Sequence, residues 1–135
     1  AFWAAPFEIG DEFGGAGVAR SFSSGWPVTK LARHEATTIA IVATDAALTQ
    51  AQCTRMAVAA HDGMARAIVP SHTPMDGDLV FGVSTGNGAN SPETETVLQI
   101  GHAAATCLAR AIARAVFAAT GWDAAPLPAW KDLHG

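Results

Sequence analysis

The chain has 135 residues, of which 50% are hydrophobic and 15% charged, with a formal net charge of -4. That length suits one domain with a packed core, and the composition is far from that of a disordered segment. No Lys/Arg cluster offers a footprint for nucleic acid or an anionic membrane surface, and no stretch reaches the roughly 18 uninterrupted apolar residues of a membrane span, so a soluble chain is expected, with small molecules or other proteins as partners.

The first residues, AFWAAPFEIGDEFGG, lack both a Met and a basic segment followed by an apolar one. They do not read as a signal peptide. They read as an internal cut, which leads us to expect a longer parent polypeptide. Residues 1–36 are rich in Gly, Ser, Pro and aromatics, with GDEFGGAG and SFSSGWP as turn-forming clusters. Phe2, Trp3, Phe7, Phe13, Phe22 and Trp26 need an apolar surface to pack on, in this chain or upstream of it.

TIAIVAT, residues 38–44, is β-branched and almost continuously apolar, which predicts a central strand covered on both faces. A turn follows. Thr49 and Gln52 then form a capping-box pattern for a helix over residues 50–67, with Met56, Ala60, Met64 and Ala67 on one apolar stripe and Pro70 beyond its end. SHTPMDGD, residues 71–78, reads as a loop, and LVFGVST, residues 79–85, as a second strand in which Gly82 marks a close approach. After a loop at 86–90, Ser91 as N-cap, Pro92 at the first position and Glu93 in the first turn predict a buried Ala-rich helix running toward Thr120, with Gly121 just past its end and Gly101 as a point of interruption. The tail, WDAAPLPAWKDLHG, reads as irregular. Two strands are too few for a stable sheet, so the remaining strands are expected upstream. Cys53 and Cys107, each in a helical pattern, read as separate buried thiols, as is normal in a reducing, cytoplasmic compartment.

Several groups compete as sites. Gly86, Gly88 and Ser91 make a G-x-G-x-x-S between a strand and a helix, close to a dinucleotide fingerprint. The acid that should meet a ribose about 20 residues further on is missing, so a glycine loop leading into a capped helix is the simpler reading. His61, His72 and His102, with Asp76 and Asp78, lack any recognised ligand spacing, and no metal or cofactor is expected. His102 reads as a core histidine. In MDGD, the Asp76-Gly77-Asp78 step is either a turn or a pair of carboxylates projecting to one side ahead of a strand. Composition reads Thr37 and Thr38 as strand packing. The alternative is a Thr activated by its own α-amine after chain cleavage, with the polar LARHEA segment, residues 31–36, as an exposed linker.

TTIAIVATDAALTQAQCTRMAVAAHDGMARAI, HTPMDGDLVFGVSTG and the preceding WAAPFEIGDEFGG together resemble the C-terminal part of a self-processing aminopeptidase family. That family includes L-aminopeptidase/D-esterase, the β-peptidyl aminopeptidases and 6-aminohexanoate-oligomer (nylon-oligomer) hydrolase. The resemblance implies an α+β fold, a four-layer αββα sandwich of which this chain supplies strand-helix-strand-helix. Residues 1–36 would then end the α subunit and carry the processing linker, and residues 37–135 would form the β subunit. It also implies autocatalytic cleavage between Ala36 and Thr37, Thr37 as the N-terminal nucleophile, and Asp76 and Asp78 as the acids that hold the nucleophile and its amine.

The substrate implied is a small peptide, amide or oligoamide, and the assembly a homo-oligomer of αβ units that include the upstream α portion. Thr37 with MDGD is closer to the nylon-oligomer hydrolase branch than to the Ser-type peptidases. Two departures stand out: Ala36 replaces the Asn or Gly frequent in relatives, and the family's Lys, Asn and Tyr site residues would lie upstream. The chain has no Tyr, and Lys30 does not match the Lys position. The competing reading is a non-catalytic or nucleotide-binding α/β module using the Gly86–Ser91 loop.

Overall fold

The computed structural model describes residues 1–21, 37–88, 90–125 and 127–134. Residues 31–36, expected as a processing linker and ending in Ala36, lie outside them, as do Phe22, Trp26 and Lys30. From residue 37 onward the order is β1 (Ile39–Thr44), α1 (Gln50–Ala67), β2 (Leu79–Ser84), α2 (Thr94–Ala118) and a short α3 (Trp130–His134).

β1 and β2 pair in parallel, Ile39 opposite Leu79 through Thr44 opposite Ser84, with α1 as the crossover. A parallel pair needs such a connection, since a tight turn can only reverse the chain. Burial alternates along both strands: Val42 and Val80 are buried, while Ile39, Ile41, Leu79, Phe81 and Val83 are at least 40% exposed. Both helices therefore cover one face, and among the described residues the other face is open. The expectation of a strand covered on both faces is not met here, because the continuous apolar run registers two apolar faces while the described chain supplies one helical layer. The chain is α+β, and its described part builds one helix layer and one sheet layer.

α1 starts as predicted. Thr49 Oγ1 accepts from the Gln52 N–H at 3.3 Å, and Gln52 Oε1 accepts from the Thr49 N–H at 2.9 Å. This reciprocal pair satisfies two of the amides that a helix start leaves without an intrahelical partner. Met56, Ala60 and Met64 face inward and meet Val42, Val80, Ala104 and Leu108 in the main core. Ala67 packs at the margin of a second cluster.

α2 departs from the prediction at both ends. It begins at Thr94 with Glu93 in the cap position and no side-chain cap, and it ends at Ala118. Ser91 is drawn elsewhere: its hydroxyl bonds Gln52 Oε1, and Gln52 Nε2 donates to the Pro92 carbonyl at 3.3 Å. The α1 cap thus ties the approach to α2, a use of Ser91 that local spacing does not reveal. Gly101, Ala104, Ala105, Leu108, Ala109 and Ala113 make one buried stripe, and the helix runs through Gly101 unbroken. Leu98, at 69% exposure, and Val116, at 44%, lie off that stripe. His102 is exposed, not a core residue, and so is Cys107; Cys53 is half-buried and both thiols are free. By length and composition α2 could cross a bilayer, and its buried stripe packs on the α1 core at Ala104 and Leu108 and on the N-terminal arm at Ala109 and Ala113.

Two glycines let these elements approach. A β-carbon at Gly63 would collide with the Ala105 carbonyl of α2, and one at Gly82 would collide with the Cys53 carbonyl of α1. Backbone cannot yield to a methyl group as a side-chain tip can.

The N-terminal arm packs on this chain's own helices. A 3-10 turn at Ala5–Phe7 brings Ala4 and Phe13 against Ala109 and Ala113, flanked by Phe2, Phe7 and Phe117. Trp130 of α3 adds to the same cluster, 5.2 Å from the Phe2 ring, so the tail predicted as irregular closes with a short helix. Glu12 clasps Arg110 of α2 in a fork, 2.6 Å to Nε and 2.9 Å to Nη2. The hydrogen bond from Arg110 lowers the Glu12 pKa below its ordinary value, against a smaller opposing effect of desolvation.

Gly63→Ala is expected to destabilise the protein by about 1–3 kcal/mol, the usual cost of overpacking where backbone must move, as measured by denaturant unfolding of the full-length protein. A depressed carboxylate pKa stabilises the folded state above the unfolded value, about 4.3 for Glu, and that contribution is lost as pH falls through the folded value. Amide exchange in the arm, at Phe7 and Gly14, should therefore accelerate as pH drops below about 4 relative to core amides of α1, and Glu12→Gln should remove that pH-dependent difference.

Candidate active site

Thr37 and Thr38 directly precede β1, and Asp76, Gly77 and Asp78 directly precede β2. The parallel register carries these two approaches side by side. The Leu79 N–H donates to the Thr38 carbonyl at 2.9 Å, and the Thr38 N–H donates to Asp78 Oδ1 at 3.0 Å. Extending the pairing by one further step sets Thr37 beside Gly77. A β-carbon at Gly77 would stand 2.8 Å from Thr37 Oγ1, so the Thr37 hydroxyl rests where this residue has no side chain. The fold thus brings Thr37 to the center of the Asp76-Gly77-Asp78 step, with Thr37 itself exposed to solvent.

The two acids have different surroundings. Asp78 is 3% exposed at its side chain and receives two main-chain donors, the Thr38 N–H on Oδ1 and the His72 N–H on Oδ2, with His72 Nδ1 also against Oδ2, each at 3.0 Å. A buried carboxylate without such donors would be costly. Asp76 closes its own loop, with Oδ2 accepting from the Thr73 N–H at 2.8 Å and the Asp76 N–H donating to the Thr73 carbonyl at 2.9 Å. Asp78 therefore anchors the backbone beside Thr37, while Asp76 shapes the loop that presents Gly77.

Of the three histidines weighed as ligands, the fold gathers two. The His61 and His72 rings meet edge to face at 4.7 Å, and His72 bonds Asp78. His102 lies instead in a groove of about 500 Å³ between α1 and α2, with Arg55, Asp62 and Arg66, and neither Thr37 nor the acid loop lines that groove. Among the described residues no group of three or more His, Cys, Asp or Glu could hold a metal ion.

The glycine loop before α2 has a structural task. A β-carbon at Gly86 would strike the Asp45 carbonyl and the Ala46–Ala47 backbone, and Gly88 lies against Ala47. Ser84 Oγ bridges the same segment, donating to the Ala46 carbonyl at 2.7 Å and accepting from the Leu48 N–H at 3.1 Å. Glu93 and Glu95 stand at the start of α2, where a phosphate would need an uncontested positive helix end.

Sequence reasoning singled out Thr37, Asp76 and Asp78 and missed what supports them. Gly77 read as a turn residue, and His72 as a stray ligand candidate. The one available signal was the spacing in HTPMDGD, a short loop that returns on itself and so can fold its first residue onto its last.

Residues 9–125 match Peptidase family S58. The chain belongs to this family, the L-aminopeptidase/D-esterase family. It is 48% identical over 107 residues to uncharacterized aminopeptidases of Mycobacterium bovis and Mycobacterium tuberculosis, covering 72% of this chain and 30% of each relative. An uncharacterized aminopeptidase of Mycobacterium leprae is 50% identical over 93 residues, covering 62% of this chain and 26% of the relative. The chain thus spans less than a third of the length of these relatives.

In this S58 chain, Asp78→Ala would strip the partner from two main-chain donors and from the His72 ring. A loss of about 1.5–3 kcal/mol in stability is expected, as for a hydrogen bond to a charged group, together with faster amide exchange at Thr38 and His72.

Proposed function

We propose that this chain is the catalytic C-terminal part of a self-processing peptidase that hydrolyses amide bonds through Thr37 as an N-terminal nucleophile. The observation that carries the reading is the placement of the Thr37 hydroxyl over Gly77, the residue that separates Asp76 from Asp78 in the chain, beside a backbone amide held by Asp78. Membership of a peptidase family and the likeness to proteins described as aminopeptidases support it.

A Thr hydroxyl is a weak nucleophile without an adjacent base. Inside an uncut chain, residue 37 has only an amide nitrogen. In the proposed maturation, Thr37 Oγ attacks the Ala36 carbonyl carbon, the C–N bond to Thr37 breaks, and the resulting ester is hydrolysed by water. This frees an α-amine with an ordinary pKa of about 7.7–8.0, able to serve as a neutral base near pH 7. In turnover the same oxygen attacks a substrate amide, the amine takes the hydroxyl proton and passes it to the leaving nitrogen, and water cleaves the acyl-enzyme ester. Asp78 would hold the start of β1 in line, and Asp76 would set the loop beneath the hydroxyl.

The substrate class is a small peptide, amide or oligoamide. The working form is an oligomer of αβ units that includes residues upstream of this chain, in a cytoplasmic setting consistent with two free thiols.

Intact mass of the purified full-length protein tests this directly. The expected product is a fragment beginning Thr37-Thr38-Ile39 that accounts for 99 of the residues here, 135 minus 36. Thr37→Ala should leave the polypeptide uncut and lower amide hydrolysis by at least about 10³-fold, as expected when a nucleophile is removed. Thr37→Ser should retain both reactions. An uncut wild-type chain, or normal processing of Thr37→Ala, would favor a binding module that uses Thr37 only as a strand residue.

A further inference from the structure

Among the described residues His72 is the one non-glycine with a positive φ, 55°. Residues with a β-carbon disfavor this left-handed region, so surrounding contacts must hold the residue there. Here main chain and side chain of one residue converge on one oxygen: the His72 N–H and Nδ1 each lie 3.0 Å from Asp78 Oδ2. The ring's far side is fixed as well. Nε2 is 3.3 Å from the His61 carbonyl oxygen, and the His61 ring packs edge to face on it.

These contacts form a relay from helix to nucleophile. His61 belongs to α1, a rigid element packed in the main core. Through it His72 is referenced to the core and not only to its own loop. Asp78 cannot rotate without breaking both bonds to His72, and its second oxygen holds the Thr38 N–H, one residue from Thr37. Pre-set alignment of this kind matters because reacting atoms must be held within a fraction of an ångström of productive geometry.

We propose that His72 is a positioning residue for Thr37: by locking the Asp78 carboxylate against α1, it fixes the backbone that aligns the Thr37 hydroxyl. It touches neither substrate nor the reacting atoms. The inference rests on the reading of Thr37 as nucleophile.

Three variants of the full-length protein test it. His72→Gly keeps the left-handed backbone and the main-chain donor but removes the ring. His72→Asn also tolerates that backbone and places an amide N–H near the position of Nδ1. Thr37→Ala checks the underlying reading. His72→Gly should slow self-cleavage and lower kcat on a small amide substrate about 10- to 100-fold, the size expected for losing one hydrogen bond to a charged group, with KM unchanged.

His72→Asn, which restores the contact with Asp78 but not the reach to His61, should recover part of that loss, with all variants folded by circular dichroism. Parent-like rates in His72→Gly, or equal losses in Gly and Asn variants that track a lowered thermal midpoint, would overturn the positioning role while leaving Thr37 in place. If Thr37→Ala still processes and turns over, the nucleophile assignment fails, and the role of His72 fails with it.

Discussion

Parallel pairing of β1 with β2 is the constraint from which the site follows. The 40-residue offset between Ile39 and Leu79 continues one step further, to Thr38 and Asp78. Such an offset requires a crossover helix that lies close over the strand it rejoins, and Gly82 permits this by leaving room for the Cys53 carbonyl. Gly63 does the same between α1 and α2. If the helical layer stood further off, Val42 and Val80 would lose the partners that make this face of the pair a core.

The site is assembled where the two strands begin, and its parts have unequal burdens. Thr37 is exposed, as a residue must be if it is to meet water and substrate, whereas Asp78 is buried and fully partnered. A carboxylate so enclosed is held in place by its donors, and its contribution is alignment of the strand start. The left-handed backbone of His72 is the local conformational cost of that arrangement, sustained by contacts to Asp78 and to α1.

Further along α2, the arm, α2 and α3 form a second small core around Phe13. The Glu12–Arg110 fork fastens the arm to α2 at a point where Arg114 also approaches, 3.7 Å from Glu12. Aromatic residues that look excessive for an irregular leader are thereby covered by alanines of α2, whose small side chains allow rings to lie against the helix.

Much of this was legible in the order of residues. The α1 boundaries and its capping box follow from interactions within four residues, and β1 and β2 from short β-branched runs, so local physics was enough. Gly82 and Phe13 were readable in kind, as a close approach and as an apolar group in need of cover. Thr37, Asp76 and Asp78 came from motif and family resemblance, since composition alone reads them as strand start and turn. What local spacing could not determine was each contact between elements distant in the chain: Ser91 leaving its own helix for Gln52, Gly86 yielding to Asp45, His102 facing outward, Glu12 reaching Arg110. The strand register placed Thr37 over Gly77, and the return of the loop placed His72 on Asp78. Such contacts depend on how packed helices and paired strands bring remote backbone together, which no local preference encodes.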